Sequence, residues 1–265
     1  MPFPETGIMR DAGAFPSREP STSLLNEIYE RGEVTTAAGK VIKLHSAISR
    51  EEGEFLGELI RNDETIVRTL EIGCAFGLSA LHICAELVGR EHAHHIIIDP
   101  NQNTGWESVG VANLRRAGLT RFTLLEEGSE FVLPRLVAEG ARRFDLIFID
   151  GWHTFDHTLI DCFYATRLLR VGGYLVIDDA NFASVSTVIR HLETYPCYER
   201  CGGVEWGGLS ARARLVKVAL SIPPLHRAIP YLSHRVQRAI GKKYSMVALR
   251  KRAEDARSWD WHLDF

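Results

Sequence analysis

Three carboxylates stand at places in the sequence where they could share one site. Asp150 ends the apolar run FDLIFID, and Asp178 and Asp179 end the run GGYLVIDD. If the two runs are neighbouring parallel strands, about 4.8 Å apart, their ends meet at one edge of a sheet. Carboxylates that close repel one another, and their oxygens suit Mg²⁺, Mn²⁺ or Ca²⁺. The pattern predicts a divalent-cation site, although one or two of these acids could instead cap helices, and a turn directly follows Asp179.

Two histidines follow the first of these acids. His153 stands three residues after Asp150, and His157 four residues after that, so on a helix both would share one face. An imidazole titrates near neutral pH, which suits a general base that takes a proton from a hydroxyl. We predict this role for His153 and favour packing or capping for His157. Three more histidines precede a strand and are predicted to lie on the surface: His92, His94 and His95.

A second group of residues has the spacing of a nucleotide-type site. The run VRTLEIG leads into the loop EIGCAFGLS, where Gly73 and Gly77 allow a sharp turn and close ligand approach. The next helix directs its N-terminus at the same place. The dinucleotide fingerprint is not met, because Ala75 and Leu78 occupy its second and third glycine positions. Asp99 ends the following strand, where an acid can accept hydrogen bonds from two ribose hydroxyls.

The turn after the third strand, EEGSEF, adds two candidate donors for an adenine edge. These are the backbone at Gly128 and the hydroxyl of Ser129, although Ser129 is equally plausible as an N-cap. Tight strand–helix turns need glycine in any case, and Asp99 could be an ordinary strand-end acid. The glycine loop and the acid, in this order and spacing, indicate a nucleotide-type site more strongly than either feature alone.

The elements that must position these residues alternate along the chain. Strands are predicted at 67–73, 94–100, 122–128, 144–151, 172–180, near 197–205 and at 243–251. Helices are predicted at 79–89, 106–119, 129–140, 154–169 and after 184, and a capping box of Ser49 and Glu52 opens another through about residue 61. This alternation predicts a doubly wound α/β fold with a mostly parallel seven-stranded sheet and helices on both faces.

Composition narrows the possible functions. The 265 residues are 45% hydrophobic and 25% charged, which is typical of globular proteins, and the formal net charge of -3 gives no basic field for nucleic acid. No run of about 18 apolar residues or signal-peptide pattern is present, so we expect no membrane partner. The five cysteines are irregularly spaced, and Cys197 and Cys201 lack the second pair that a zinc site needs. We expect reduced thiols in the cytoplasm.

Five motifs, in this order and spacing, resemble class I S-adenosylmethionine (SAM)-dependent methyltransferases: EIGCAFGLS, IIIDPNQ, EEGSEFVLPRL, FIDGWHTFDH and LLRVGGYLVIDDA. Within that superfamily they are similar to the metal-dependent O-methyltransferases related to catechol and caffeoyl-CoA O-methyltransferases. They resemble still more closely the bacterial branch that includes macrolide-sugar O-methyltransferases. The resemblance covers roughly residues 45–195.

The resemblance implies roles for individual residues. Asp150, Asp178 and Asp179 match the ligands of Mg²⁺ or another divalent cation, and His153 matches the histidine base of the sugar methyltransferases. Asp179 stands where catechol-type relatives have asparagine, which keeps an oxygen ligand but makes the site more negative. Ala75 replaces the middle glycine of the first motif. The implied SAM-binding residues, with Glu71 and the glycine loop at the methionine part and Asp99 at the ribose, are Glu71, Gly73, Cys74, Ala75, Gly77, Ser79, Asp99, Pro100, Gln102, Gly128, Ser129, Asp150 and Trp152.

The expected function is therefore SAM-dependent methylation of a hydroxyl on a small molecule, such as a sugar, natural product or phenolic. Alternatives on the same fold are a cyclase or oxygenase, or a cofactor-binding scaffold without methyl transfer. We expect an N-terminal arm and cap helix at 1–44, a core at 45–205, and a C-terminal cap segment with the last strand at 206–265. The two flanking segments are expected to cover the acceptor side, and they could also mediate a homodimer.

Overall fold

The chain folds around a central sheet of seven strands, as seen in a computed structural model that describes residues 17–140, 143–206, 218 and 244–262. The helices are α1 Glu19–Arg31, α2 Arg50–Arg61, α3 Leu78–Leu87, α4 Val109–Arg116, α5 Ser129–Ala138, α6 Phe155–Leu168 and α7 Ala183–Leu192. The strands are β1 Glu33–Thr35, β2 Val41–Lys43, β3 Arg68–Ile72, β4 His94–Ile98, β5 Phe122–Leu125, β6 Phe144–Ile149, β7 Leu169–Ile177, β8 Tyr198–Glu205 and β9 Tyr244–Lys251.

The strand order of the large sheet is β5-β4-β3-β6-β7-β9-β8. Strands β3 to β7 are parallel, and β9 runs antiparallel to both β7 and β8. The predicted seven-stranded, mostly parallel sheet is confirmed. From β3 the chain winds outward to β5 and then returns to the other side of β3 with β6. This reversal leaves a crevice at the carboxyl ends of β3 and β6, where doubly wound folds bind ligands.

Apolar residues on both faces of the strands explain why helices cover the sheet on each side. All six residues of β6 are buried, as expected for a central parallel strand. One core cluster contains buried side chains from α2, α3 and α4, and a second contains side chains from α5, α6 and α7. These two layers bring the N-terminal turns of the crossover helices to the crevice.

The capping box predicted at the start of α2 is present. Ser49 Oγ accepts a hydrogen bond from the Glu52 backbone at 3.2 Å, and Glu52 Oε2 accepts one from the Ser49 backbone at 2.7 Å. The short hairpin of β1 and β2 was not predicted, because each strand has only three residues and shows no readable alternation. Helix α4 begins at Val109, three residues later than predicted.

The surface prediction for the three histidines is wrong for His95. This side chain is fully buried on β4, with Nδ1 2.8 Å from Thr69 Oγ1. Its Nε2 lies 3.5 Å from Glu71 Oε2 on the neighbouring strand β3. A strand between two helical layers buries alternate residues on both faces, so a polar residue within it can be internal.

The last strand is anchored by a buried lysine. Lys251 in β9 is fully buried, and its Nζ donates hydrogen bonds to the carbonyl oxygens of Thr166 at 2.8 Å and Leu169 at 2.9 Å. Its charge is paired with Glu254, 2.9 Å away. Because Thr166 and Leu169 lie at the carboxyl end of α6, the lysine caps that helix and ties β9 to it.

The predicted flanking segments fall partly outside the described residues. Residues 1–16 of the N-terminal arm lie there, as does most of the C-terminal cap segment, 207–217 and 219–243. The division into arm, core and cap therefore remains a prediction. Within the described part of the chain, no helix combines the length and apolar character that crossing a membrane requires.

Candidate active site

A cavity of about 830 Å³ opens at the carboxyl ends of the central strands. It brings together twelve of the residues predicted for the cofactor, the cation and the base: Gly73, Cys74, Ala75, Asp99, Pro100, Gly128, Ser129, Asp150, Trp152, His153, Asp178 and Asp179. Four other predicted residues do not line this cavity: Glu71, Gly77, Ser79 and Gln102. The sequence motifs that follow β3, β4, β5, β6 and β7 therefore share one wall.

Asp99 fastens the glycine loop that follows β3. Its Oδ2 accepts hydrogen bonds from the backbone N–H groups of Cys74 at 3.1 Å and Ala75 at 3.0 Å. Its Oδ1 accepts one from the Asn101 backbone at 2.8 Å. Gln102 is fully buried behind the cavity wall, where its Nε2 donates to Asp99 Oδ2 at 2.9 Å and to the Ala75 carbonyl at 2.8 Å. The side chains of Asp99 and Gln102 thus hold the loop in place without help from a ligand.

The two loop glycines are required by the packing of the chain itself. Gly73 has φ +86°, and a Cβ there would lie 2.0 Å from the Asp150 carbonyl oxygen. Gly77 has φ +81°, and a Cβ there would lie 2.8 Å from Gly110. Ala75 adopts φ +46°, a left-handed conformation that costs an L-residue about 1–2 kcal/mol. The position that departs from the motif therefore still has the backbone conformation that favours glycine.

Glu71 is buried in β3 rather than exposed at the cavity. Neither carboxylate oxygen has a well-formed hydrogen bond among the described residues, and His95 Nε2 is 3.5 Å from Oε2. A buried carboxylate without a full set of hydrogen bonds is costly. Its role at the methionine part of a cofactor stays a prediction.

Asp150, His153 and Asp179 converge at the ends of β6 and β7. One ligand atom from each lies within 4.8 Å of the others, a spacing that could hold a metal ion. Desolvation, and next the charges of Asp178 and Asp179, raise the pKa of Asp150 well above its usual range. Asp178 lines the same wall but does not belong to this tight group among the described residues. Asp150 and Asp179 lie together as predicted, but within the described residues the third member of this group is His153, predicted as a base off the metal, and not the predicted ligand Asp178.

A fourth acid, Glu52, faces the cluster from the opposite layer. It is 8% exposed and lines the cavity, although the sequence pattern indicated only a helix cap. After burial, its charge is the main cause that raises the pKa of Asp178, and it also contributes to the raised pKa values of Asp150 and Asp179. No sequence signal distinguishes this glutamate from an ordinary capping residue, because only tertiary packing brings the start of α2 over the strand ends.

The imidazole of His153 is held on two sides. Its Nδ1 lies 3.1 Å from Asp179 Oδ2, and its ring makes an edge-to-face contact with Phe182 at 5.4 Å between centroids. His153 precedes α6 and so does not share a helix face with His157, contrary to the prediction. His157 instead packs on Trp152, with ring centroids 5.0 Å apart, and lies beside the cap residue Thr154. Only His153 contacts the acid cluster directly.

This chain is similar to known methyltransferases. Residues 70–180 match the family model described as a methyltransferase domain. A catechol O-methyltransferase from Niastella koreensis is 31% identical over 136 residues, which cover 50% of this chain and 58% of that enzyme.

Solved structures match over most of the chain. The O-methyltransferase from Bacillus cereus in complex with SAH superposes with a TM-score of 0.59, at 17% identity over 86% of this chain and 90% of that chain. TomG from Streptomyces achromogenes, an O-methyltransferase involved in tomaymycin synthesis, was solved in complex with SAM. It superposes with a TM-score of 0.58, at 17% identity over 89% of this chain and 90% of that chain. At this identity the likeness shows a common fold. Residues 70–180 of this chain therefore match the methyltransferase-domain model, and the chain shares its fold with these solved O-methyltransferases.

Proposed function

We propose that this chain is a SAM-dependent O-methyltransferase that acts on a hydroxyl of a small, non-anionic molecule, assisted by a divalent cation. The proposal rests on one observation, which is that two groups of residues line the same cavity. The glycine loop with Asp99 occurs beside an acid cluster that includes a histidine. A cofactor and an acceptor held there would meet at the ends of β3 and β6, which is where doubly wound folds place their chemistry.

The cavity suits SAM in size and in donor pattern. Its 830 Å³ lies in the upper part of the range of small-molecule sites, about 300–1,000 Å³. A carboxylate has about four acceptor positions, roughly two on each oxygen. In Asp99, Oδ2 is filled by three donors, whereas Oδ1 accepts only one. The remaining position at Oδ1 suits one ribose hydroxyl rather than the two expected from the sequence.

The donor set at the strand ends suits a divalent cation. Asp150 and Asp179, with Asp178 on the same wall, offer carboxylate oxygens of the kind that Mg²⁺ prefers. Burial, and after it the charges of neighbouring acids, raises the pKa values of all three, and a cation would relieve both effects. A bound cation would lower the pKa of an acceptor hydroxyl. Asp179 Oδ2 faces His153 Nδ1, which favours the tautomer with its proton on Nδ1 and leaves Nε2 free to take the hydroxyl proton.

The charges in the cavity narrow the acceptor class. The described lining contains no lysine or arginine, whereas seven acids line it: Glu52, Asp99, Glu130, Asp150, Asp161, Asp178 and Asp179. A phosphorylated or CoA-linked acceptor would therefore find no lysine or arginine among the described lining residues to pair with its phosphates. The exposed rings of Trp152, Phe131 and Phe182 also line the cavity and offer flat apolar surface to a sugar or ring compound.

The test is transfer of a labelled methyl group from SAM to a panel of neutral hydroxylated compounds and their phosphorylated counterparts, with and without a chelator. Methylation of neutral members only, lost on chelation and restored by Mg²⁺, supports the proposal. Methylation of phosphorylated members would contradict the acceptor class. Full activity in the presence of the chelator would contradict the role of the cation.

His153→Ala tests the base separately. We expect turnover to fall about 10²–10⁴-fold, the usual contribution of a general base, while SAH affinity stays unchanged. His92→Ala, at an exposed histidine outside the cavity, is the matched control. If the His153 variant retained full turnover, another group would have to remove the proton.

A further inference from the structure

A buried acid that the proposed chemistry does not use lies in the cavity wall. Asp161, in the second turn of α6, is 1% exposed and lines the cavity. Its Oδ1 has no hydrogen-bond partner within the described part of the chain. Burial raises the pKa of Asp161 to about 6, so at pH 7 and above it is mainly ionised despite its position.

The surroundings of Asp161 separate it from the acid cluster. The Ser129 side chain, at the start of α5, and the charge of His157 lower the pKa of Asp161 against the larger effect of burial, and Glu130 raises it. Gly151 has no side chain between Asp161 and the cavity that both residues line, and a Cβ there would lie 3.6 Å from Asp161 Oδ2. Asp161 and Ser129 therefore form a polar corner between the second turn of α6 and the first turn of α5.

A carboxylate oxygen left unpaired in such a place is costly unless a ligand donates to it. The proposed cofactor carries three kinds of hydrogen-bond donor: the ribose hydroxyls, the ammonium group and the 6-amino group of adenine. Asp99 has the open position for the ribose, and the resemblance assigns the methionine part, which carries the ammonium group, to Glu71 and the glycine loop. The corner of Ser129 and Asp161 adjoins Gly128, where an adenine edge is expected.

We propose that Asp161 accepts a hydrogen bond from the 6-amino group of adenine and thereby selects a 6-aminopurine cofactor. Ser129 positions the carboxylate by donating its hydroxyl. A 6-oxopurine presents an acceptor oxygen where adenine presents a donor, so it faces the carboxylate unfavourably. This inference rests on the proposed SAM binding and identifies the residue that recognises the adenine ring.

The experiment compares the binding of S-adenosylhomocysteine and S-inosylhomocysteine to the purified protein by calorimetry. Wild type is expected to bind the adenosyl compound about 10- to 100-fold more tightly, because one hydrogen bond to a charged group changes affinity by about that factor. Asp161→Asn keeps the size of the side chain but adds an amide donor for O6, so the preference should narrow or reverse. Asp156→Asn, at an exposed acid on the same helix, should leave it unchanged.

Each outcome separates the inference from the proposed function. Equal binding of the two compounds to wild type, or an unchanged preference in Asp161→Asn, overturns the role of Asp161 while SAM binding stands. Binding of neither compound to wild type contradicts the proposed function itself. If Asp161→Asn does not fold, the wild-type preference and its reduction in Ser129→Ala decide the matter.

Discussion

The two halves of the cavity differ in how completely their polar groups are paired. On the side of β4, Asp99 accepts four hydrogen bonds from the glycine loop and its neighbours. On the side of β7, Asp178 and Asp179 face Glu52 and Asp150, and their pKa values are raised. The first half is organised by the chain alone, whereas the second stores repulsion that a cation can relieve. Removing an acid should therefore have opposite effects on stability in the two halves.

The largest expected effect comes from Asp99→Ala. This change leaves the backbone N–H groups of Cys74 and Ala75 without their acceptor, and each buried unpaired donor costs about 1–3 kcal/mol. We expect a loss of about 2–5 kcal/mol in the free energy of unfolding and at least tenfold weaker SAH binding. Urea denaturation and calorimetry measure the two quantities. A variant as stable as wild type would show that the loop does not depend on Asp99.

Asp178→Asn should have the opposite sign. Folding raises the pKa of this carboxyl. The carboxyl therefore has no effect on the free energy of unfolding below its unfolded pKa, lowers that free energy as pH rises above it, and has its full effect once pH exceeds the folded pKa. Without a cation, the variant should be more stable than wild type at pH 8 and equal to it below pH about 4. Denaturation at both pH values checks this.

Cation binding provides a second test of the difference between the two halves of the cavity. Mg²⁺ should stabilise wild type at pH 8 because it binds the folded state only, and Asp178→Asn should lose most of that gain. Glu58→Gln, at an acid on α2 that does not line the cavity, is the control and should respond to Mg²⁺ as wild type does. Equal stabilisation of the Asp178 variant and wild type would place the cation elsewhere.

The smallest expected effect is at Ala75. Its left-handed conformation favours glycine, so Ala75→Gly should stabilise the fold by up to about 1 kcal/mol and raise the melting temperature by a few degrees. Ala112→Gly, inside α4, should lower stability by about 1 kcal/mol, because helix interiors disfavour glycine. A loss of stability in Ala75→Gly would mean that the methyl group contributes packing that outweighs the backbone strain.

The sequence predicted what depends on position along a strand. Asp99 follows β4, Asp150 follows β6, and Asp178 and Asp179 follow β7, all in the parallel part of the sheet with only β3 between β4 and β6. Their place in one cavity could therefore be inferred from their positions at the strand ends. The helices and the capping box of α2 were also predictable, because the sequence signals for them lie within a few residues of each other.

What could not be predicted depends on contacts between distant elements. Glu52 faces the acid cluster because α2 packs over the strand ends, and Gln102 braces Asp99 because the turn after β4 folds beneath the glycine loop. Asp161 looks like a surface residue of an amphipathic helix until α5 covers it. In each case the residue type and spacing fit an ordinary solvated position, and only tertiary burial gives it another role.

The position of β9 has a consequence for the order in which the protein can be built. This strand, Tyr244–Lys251, lies between β7 and β8, although both precede it in the chain. Among the strands that the structure describes, β8 has no partner and β7 has an open edge in a nascent chain until residues 244–251 have emerged. Open strand edges are templates for aggregation. The described sheet is completed only when β9 inserts and Lys251 caps α6, so we expect a chain that ends before residue 244 to aggregate rather than to fold as a smaller stable domain.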